Sequence, residues 1–183
     1  MFRLPLPPFL TRFAHGTRGA VSLEFILVMP FLFWAFMAAY VFFDGYRQSA
    51  TNLKAAYTIS DLISRETDPI NDAYLDSMHR LLNMMTRATS PTAIRVSVLR
   101  WDEDDDRYYV SWSHERGMNQ VWTDGNIATI DDRLPTMVDQ DRVILVETSN
   151  TFVPLYNIGM ENKKLDNFVF TRPRFAPQVL WDS

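Results

Sequence analysis

The 183-residue chain has no cysteine, three histidines and six glycines. The absence of cysteine excludes a disulfide-stapled domain, and the low glycine content excludes a collagen-like or low-complexity chain. His15, His79 and His114 do not stand at metal-ligand spacing, and there is no phosphate-cradling glycine motif and no G-x-S-x-G elbow. His79 follows Asp76 at i, i+3, which we interpret as a surface pair. We therefore expect no enzyme and no cofactor.

Acidic residues are missing from positions 1–23, which contain Arg3, Arg12 and Arg18. The whole chain nevertheless has 22 acidic and 18 basic residues, a net charge of -4, so the remainder is acidic. This balance disfavours non-specific binding to nucleic acid. Hydrophobic residues are plentiful at 47%, with 14% aromatic, which is enough for the core of one domain.

The longest apolar run extends over residues 20–43, and its only charge is Glu24. At about 1.5 Å per residue, a helix of this length exceeds a hydrocarbon core of about 30 Å, so we predict a transmembrane helix. Arg12 and Arg18 precede the run and Asp44 follows it, which predicts a cytoplasmic N-terminus and an outer C-terminal domain. The alternative is a cleaved secretory signal, whose apolar region is normally about 7–15 residues.

Glu24 is costly in this position, because a carboxylate within a transmembrane helix costs about 2–3 kcal/mol even on lenient insertion scales. The simplest explanation is that it lies at headgroup depth near Arg18. Its spacing suggests another role, since Gly19 precedes Ala20 and Glu24 is the fifth residue after that glycine. Cleavage between Gly19 and Ala20 would create an ammonium group that Glu24 of the same or an adjacent subunit could neutralise, setting the axial register of the helices.

The run 18–25, followed by aliphatic residues and Pro30, resembles the N-terminus of TadE/TadG-like proteins. These are minor pilins or pseudopilins of the tight-adherence (Flp-type) system, which assembles a type IV-like pilus for cell adhesion. The resemblance implies that a prepilin peptidase cuts between Gly19 and Ala20. It also implies an assembly role for Glu24, Phe25 and Pro30, although Pro30 could equally be a simple kink in a lipid-exposed helix.

The resemblance further implies a single-pass protein of the bacterial inner membrane, with a cytoplasmic N-terminus and a periplasmic domain, that enters a pilus. The implied partners are other major and minor pilins, the prepilin peptidase, the inner-membrane pilus assembly platform and membrane lipid, with no nucleic acid. The alternative is a membrane-anchored extracytoplasmic binding or sensing module with an uncleaved N-terminus. A membrane-tethered enzyme that uses His79 is a third possibility.

We divide the chain into a basic leader (1–19), a transmembrane helix (20–43) and an extracytoplasmic, pilin-like α+β domain (44–183). Helical spacing continues from Gly45 to Arg65, and a second amphipathic helix begins at about Asp72. Their predicted core positions are Leu53, Ala56, Ile59 and Ile63 in the first helix and Leu75, Met78, Leu82 and Met85 in the second.

A two-residue period then predicts a β-hairpin, with one strand around residues 94–98 and the other around 108–112. The tip carries Asp102, Asp104 and Asp106 at the 1-3-5 spacing of an EF-hand loop. Because that loop would need a glycine at Arg107 and a glutamate at Ser113, this is only a weak metal candidate, and a solvated acidic turn is the alternative.

The remaining residues predict two further strands, giving an antiparallel sheet of about four strands. We expect a variable segment over 114–141 with a short strand near Trp122, a central strand over 142–156 with a helix on one side, and a last strand over 167–172. Parts of this region also resemble the C-terminal pattern of TadE-like pilins: Leu134-Pro135, Val143–Glu147 with Phe152 and Pro154, and Arg172-Pro173-Arg174.

Overall fold

The computed structural model describes residues 20–182 and places two helices before four antiparallel strands, so the predicted α+β fold class is confirmed. The predicted leader, 1–19, lies outside the described residues. The elements in chain order are α1 (Ala20–Ser64), α2 (Asp72–Thr86), β1 (Ala93–Asp102), β2 (Arg107–Arg116), a 3₁₀-helix (Ile127–Arg133), β3 (Arg142–Phe152) and β4 (Lys163–Thr171).

Helix α1 is a single element of 45 residues that joins the apolar run to the domain core. Its second half buries Ala56, Ile59 and Ile63 as predicted. Leu53 is 41% exposed, so its predicted core position is wrong. The buried face instead passes through Asn52, because a helix advances about 100° per residue and Asn52 lies on the line that leads to Ala56 and Ile59.

Helix α2 begins at the capping residue Asn71, whose side chain accepts a hydrogen bond from the backbone N–H of Tyr74 at 3.1 Å. It ends at Arg87, which has left-handed backbone geometry with φ of 47°. Its predicted apolar face is confirmed: Leu75 and Leu82 are fully buried, and two methionines pack against the same cluster, Met78 and Met85.

The sheet has the strand order β2-β1-β3-β4, which places β3 inside it. Ile144 and Val146 pack toward the helices, as the predicted helix coverage of this strand requires. Val143 and Leu145 pack on the opposite face with residues of the 3₁₀-helix. Both faces of β3 are therefore covered, which explains its four consecutive apolar residues.

A β-bulge interrupts the hairpin, whose pairing shifts between Val98 and Leu99. Val98 pairs with Trp112 and Leu99 with Val110, which leaves Ser111 as the additional residue on β2. Trp112 consequently packs with the helix-side cluster, whereas Val110 packs on the other face. The hairpin prediction is confirmed, but its two-residue alternation changes face at the bulge.

The predicted short strand near Trp122 is wrong, because residues 117–123 have no strand geometry. This segment crosses the face of the sheet opposite the helices, and Trp122 Nε1 donates a hydrogen bond to Glu147 Oε2 at 2.6 Å. The last strand is longer than predicted, since β4 begins at Lys163 rather than Asn167. Val169 is its buried residue and faces the helices.

Two buried amides attach α1 to the sheet. Asn52 Nδ2 donates to Asn150 Oδ1 at 3.1 Å, and Asn150 Nδ2 donates back to Asn52 Oδ1 at 3.2 Å. Both residues are almost fully buried. Any sliding or rotation of α1 on the sheet would leave both amides without partners, so this pair fixes the position of the helix.

Asn52→Ala should lower the free energy of unfolding by about 1–3 kcal/mol, because it leaves the buried Asn150 amide without its partner. Asn52→Leu combined with Asn150→Leu should restore much of that loss. Denaturant unfolding of the full chain in detergent micelles, followed by tryptophan fluorescence, measures both effects. The exposed Asn162→Ala is the control, and an equal effect from it would contradict the prediction.

Candidate membrane and assembly helix

The first half of α1 is an apolar helix that the rest of the described chain leaves largely uncovered. Only 6% of its most apolar 18-residue window is buried, and its length and composition are sufficient to cross a membrane. A core helix of a soluble domain would bury one face. The exposed large apolar residues of this stretch are Val21, Leu23, Phe25, Ile26, Leu27, Val28, Phe31, Leu32, Phe33, Trp34, Phe36, Met37, Tyr40, Phe42 and Phe43.

Charged residues bracket this apolar stretch at a spacing that matches a bilayer. Glu24 and Asp44 are twenty positions apart on one continuous helix, which corresponds to roughly 30 Å, the thickness of a hydrocarbon core. Asp44 forms an ion pair with Arg47 at 2.8 Å, one turn further along. If Asp44 marks the outer boundary of a membrane, Glu24 lies at the inner boundary.

Of the predicted processing residues, Gly19 lies outside the described residues and Ala20 is the first residue of α1. Ala20 and Glu24 are one helical turn apart, so an ammonium group at Ala20 would lie within reach of the Glu24 carboxylate. Both Glu24 and Phe25 are exposed, and so is Pro30. The helix therefore presents all three predicted assembly residues outward.

These three assembly residues do not share one helix face. At about 100° per residue, Phe25 lies about 100° around the axis from Glu24, and Pro30 lies about 240° from it. A contact that involves all three must therefore surround the helix. Pro30 also lacks an N–H group, so the carbonyl of Ile26 loses its partner one turn earlier, although the helix continues through this point.

A loop that the sequence analysis did not single out lies against the end of the apolar stretch. The Tyr40 and Tyr156 rings meet edge to face, with centroids 6.2 Å apart. Between α1, β4 and this loop is an apolar groove of about 230 Å³, lined by Phe42, Gly45, Tyr46, Ser49, Phe152, Met160, Lys163 and Leu165. In the sequence, the feature that indicates this loop is the absence of charged residues between 151 and 160.

The face of the sheet opposite the helices carries a second groove, of about 560 Å³ and mixed polarity. Arg95 Nε and Glu147 Oε2 are 2.6 Å apart there, with side chains only 11% and 12% exposed. The Arg95 guanidinium also stacks on Trp122, 4.1 Å from the ring centroid. The two buried charges thus neutralise each other, and at the rim Lys164 pairs with Asp166 at 3.1 Å.

The acidic hairpin tip does not form a metal centre. Within residues 20–182, no group of three or more His, Cys, Asp or Glu side chains is placed to hold a metal ion, so Asp102, Asp104 and Asp106 are not brought together as ligands. Asp102 instead pairs with Arg100 at 2.9 Å. The internal contacts of this turn fit the alternative of a solvated acidic tip.

The predicted surface pair between Asp76 and His79 is wrong. Asp76 Oδ1 accepts a hydrogen bond from Arg116 Nε at 2.5 Å, which links α2 to β2. His79 Nε2 lies 3.0 Å from the Thr92 carbonyl oxygen and ties α2 to the chain entering β1. Asp76 therefore makes a structural contact to the sheet, and His79 makes one to the segment that leads into it.

His114 lies under the C-terminal tail, where its ring stacks on Trp181 with centroids 3.6 Å apart. Burial lowers the pKa of His114 below its ordinary value of 6.5; Asp72 opposes this shift, and the positive charge of Arg116 adds to it. The same tail accepts a hydrogen bond from Trp112 Nε1 at the Val179 carbonyl, at 2.8 Å. The neutral imidazole therefore helps to hold the tail against β2.

Comparisons of this chain with protein-family models, curated proteins and solved structures find no significant match to any of them. The functional argument therefore depends on the residues themselves and on their placement in the fold.

The lowered pKa of His114 predicts a loss of stability on acidification. The unfolded chain binds the proton near pH 6.5 and the folded chain only at lower pH, so the contribution of His114 is complete above 6.5 and falls as the pH decreases below it. Between about pH 7.5 and about pH 5.5, the melting temperature should fall more for the parent chain than for His114→Phe. The same slope for His114→Phe as for the parent chain would contradict the prediction.

Proposed function

We propose that this chain is a minor pilin or pseudopilin of the TadE/TadG-like type, which takes part in the assembly of a Flp-type pilus. The observation that carries this proposal is the dual character of the unbroken helix α1. Its first half is a largely uncovered apolar stretch with a single carboxylate, and its second half packs into the domain core. Such a helix holds the domain in a membrane before assembly. Packed against the helices of other subunits, it can then hold the same domain in a filament.

The distribution of residues around α1 supports packing on several sides. Large apolar side chains are exposed all around the helix, and Glu24, Phe25 and Pro30 point in three directions. A helix that only anchors a domain needs lipid on every side, and a carboxylate near the inner boundary adds nothing to that role. A helix that exchanges lipid for neighbouring subunits can use Glu24 to neutralise an Ala20 ammonium in a low-dielectric layer.

The continuity of α1 also favours a retained helix over a secretory signal. A signal peptide is removed together with its apolar region. Here the helix continues without a break from Phe43 through Asp44 to the buried Ile59 and Ile63. Removal of the apolar region would cut this helix immediately before the turns that form the domain core.

The proposal includes a place in the cell and a set of partners. The chain spans the bacterial inner membrane once, with its N-terminus in the cytoplasm and its domain in the periplasm. A prepilin peptidase acts on it after Gly19, so it is a substrate and not an enzyme. Its partners are other pilins, the inner-membrane assembly platform and membrane lipid, and the basic residues before Ala20 support this orientation.

The second candidate is a membrane-anchored binding or sensing module with an uncleaved N-terminus. The observation that favours it is the groove of about 560 Å³ on the sheet face that the helices leave free. Arg133 and Lys164 line that groove together with Asp166, so a small polar ligand would find hydrogen-bonding groups there. This candidate function needs α1 only as an anchor. Substitution of Gly19 or Glu24 would therefore leave it unchanged.

The N-terminus of the mature protein separates the two candidates. We expect the intact mass and N-terminal sequence of the chain from its native membranes to show a start at Ala20. Gly19→Leu should abolish this processing, because a side chain next to the cut bond obstructs an extended backbone in the protease site. Gly16→Leu, three residues earlier, should leave it intact. A parent chain that begins at Met1 would favour the anchored binding module.

Glu24→Ala should leave membrane insertion and cleavage intact but reduce co-assembly with other pilins by at least about tenfold, since a buried ammonium left without its carboxylate costs several kcal/mol. Chemical cross-linking to neighbouring pilins, quantified against total membrane-inserted protein, measures this effect. Glu24→Asp should retain part of the assembly because it keeps the charge, and Ser22→Ala should retain all of it. Full assembly by Glu24→Ala would refute the role of the carboxylate.

A further inference from the structure

The first eight residues of the loop between β3 and β4 are uncharged and include exposed apolar side chains. We define the membrane-proximal loop as residues 153–160, Val-Pro-Leu-Tyr-Asn-Ile-Gly-Met. Leu155 is 66% exposed, and Val153 and Tyr156 are also exposed. The charges resume only at Glu161. The loop therefore presents an apolar surface that the described part of the chain does not cover.

The contacts of this loop fix its depth along α1. Tyr156 meets Tyr40, which lies four residues before Asp44 and therefore about 6 Å on the apolar side of it. Val41 is only 1% exposed, whereas Phe43 is 73% exposed. Near the end of the apolar stretch, the helix is thus covered by the domain on one side and bare on the other. The edge of the domain overlaps the end of the membrane segment.

This overlap leads to a physical consequence. A membrane thick enough to cover Phe43 on the bare side also reaches the depth of the loop on the other side. Leu155 and Val153 gain free energy on leaving water, and tyrosines such as Tyr40 and Tyr156 favour the headgroup level, where a ring is buried while its hydroxyl remains hydrated.

The groove beside the loop adds charge complementarity. Its walls are apolar and include Phe42, Tyr46 and Met160, and Lys163 is an exposed residue of its lining. An ammonium group next to an apolar groove at the end of a membrane helix suits an anionic lipid, whose phosphate it can approach while the acyl chain lies against the aromatic wall.

We propose that the membrane-proximal loop inserts Val153, Leu155 and Tyr156 into the boundary between headgroups and acyl chains of the leaflet on the domain's side. The occupant of this surface is lipid. The inference rests on the proposed membrane insertion of α1 and adds a second attachment to it, so that the domain lies on the bilayer instead of standing away from it.

The absence of cysteine allows a direct test on the full chain. Single cysteines at Leu155, Val138 and Phe33, each carrying a nitroxide label, are reconstituted in phosphatidylethanolamine and phosphatidylglycerol vesicles. All three residues are exposed, so the labels do not disturb the core. The collision rates of each label with oxygen, which concentrates in lipid, and with a water-soluble nickel chelate report its depth.

We expect the oxygen-to-nickel ratio at Leu155 to be severalfold above that at Val138 and to approach that at Phe33. A Leu155 ratio equal to that of Val138, with a lipid-like Phe33, would overturn the loop inference and leave the membrane helix standing. A water-like Phe33 would overturn both. A Leu155 label protected from both reagents would indicate a second protein copy on this surface and would overturn the assignment to lipid.

Discussion

The structure depends on how helix α1 is positioned against strand β3. Helix α1 is apolar on nearly all sides in its first half and on one side in its second half, and its contacts with α2, β3 and β4 fix where the change occurs. The reciprocal amide pair of Asn52 and Asn150 fixes the rotation and axial position of the helix. Two turns earlier, a Cβ on Gly45 would lie 3.3 Å from Phe152 Cε1, so glycine permits the close approach of the strand end to the helix.

This seating sets the position of the domain relative to the apolar stretch. Because β3 runs down α1 and ends at Phe152, the chain leaves the sheet beside Gly45, at the end of the apolar stretch. The residues that follow must reverse direction beside Gly45, because β4 begins at Lys163 and pairs with β3. Tyr156 holds the connection at the depth of Tyr40, and the lack of charge in residues 153–160 suits that depth. A polar loop in the same place would oppose insertion of the helix to Phe43.

The sequence correctly predicts the elements whose apolar residues follow one regular spacing. The helical spacing of Leu75 and Leu82 and the apolar run of β3 led to the correct elements and core positions. The failures occur where pairing in three dimensions decides. Ser111 is unremarkable in sequence but is a bulge in the structure. Apolar character indicates Leu53 as the core position, but the buried residue is Asn52, whose hydrogen-bond partner lies 98 positions away and is not revealed by any local pattern.

Burial of the apolar side chains of α1 cannot by itself drive the proposed assembly. In the proposed function, the apolar side chains of α1 would be covered by lipid in a membrane and by other helices in a filament, and packing helices in lipid has no large hydrophobic driving force. Exchange between the two states must therefore be decided by groups whose surroundings differ. At the inner end these are Glu24 and the Ala20 amine, which attract each other more strongly away from lipid headgroups and water. At the outer end they are the side chains of the membrane-proximal loop, which leave lipid when the subunit leaves the membrane. If both proposals hold, the first group would favour the filament and the second would retain the subunit, so the two ends of one helix segment would act in opposite directions.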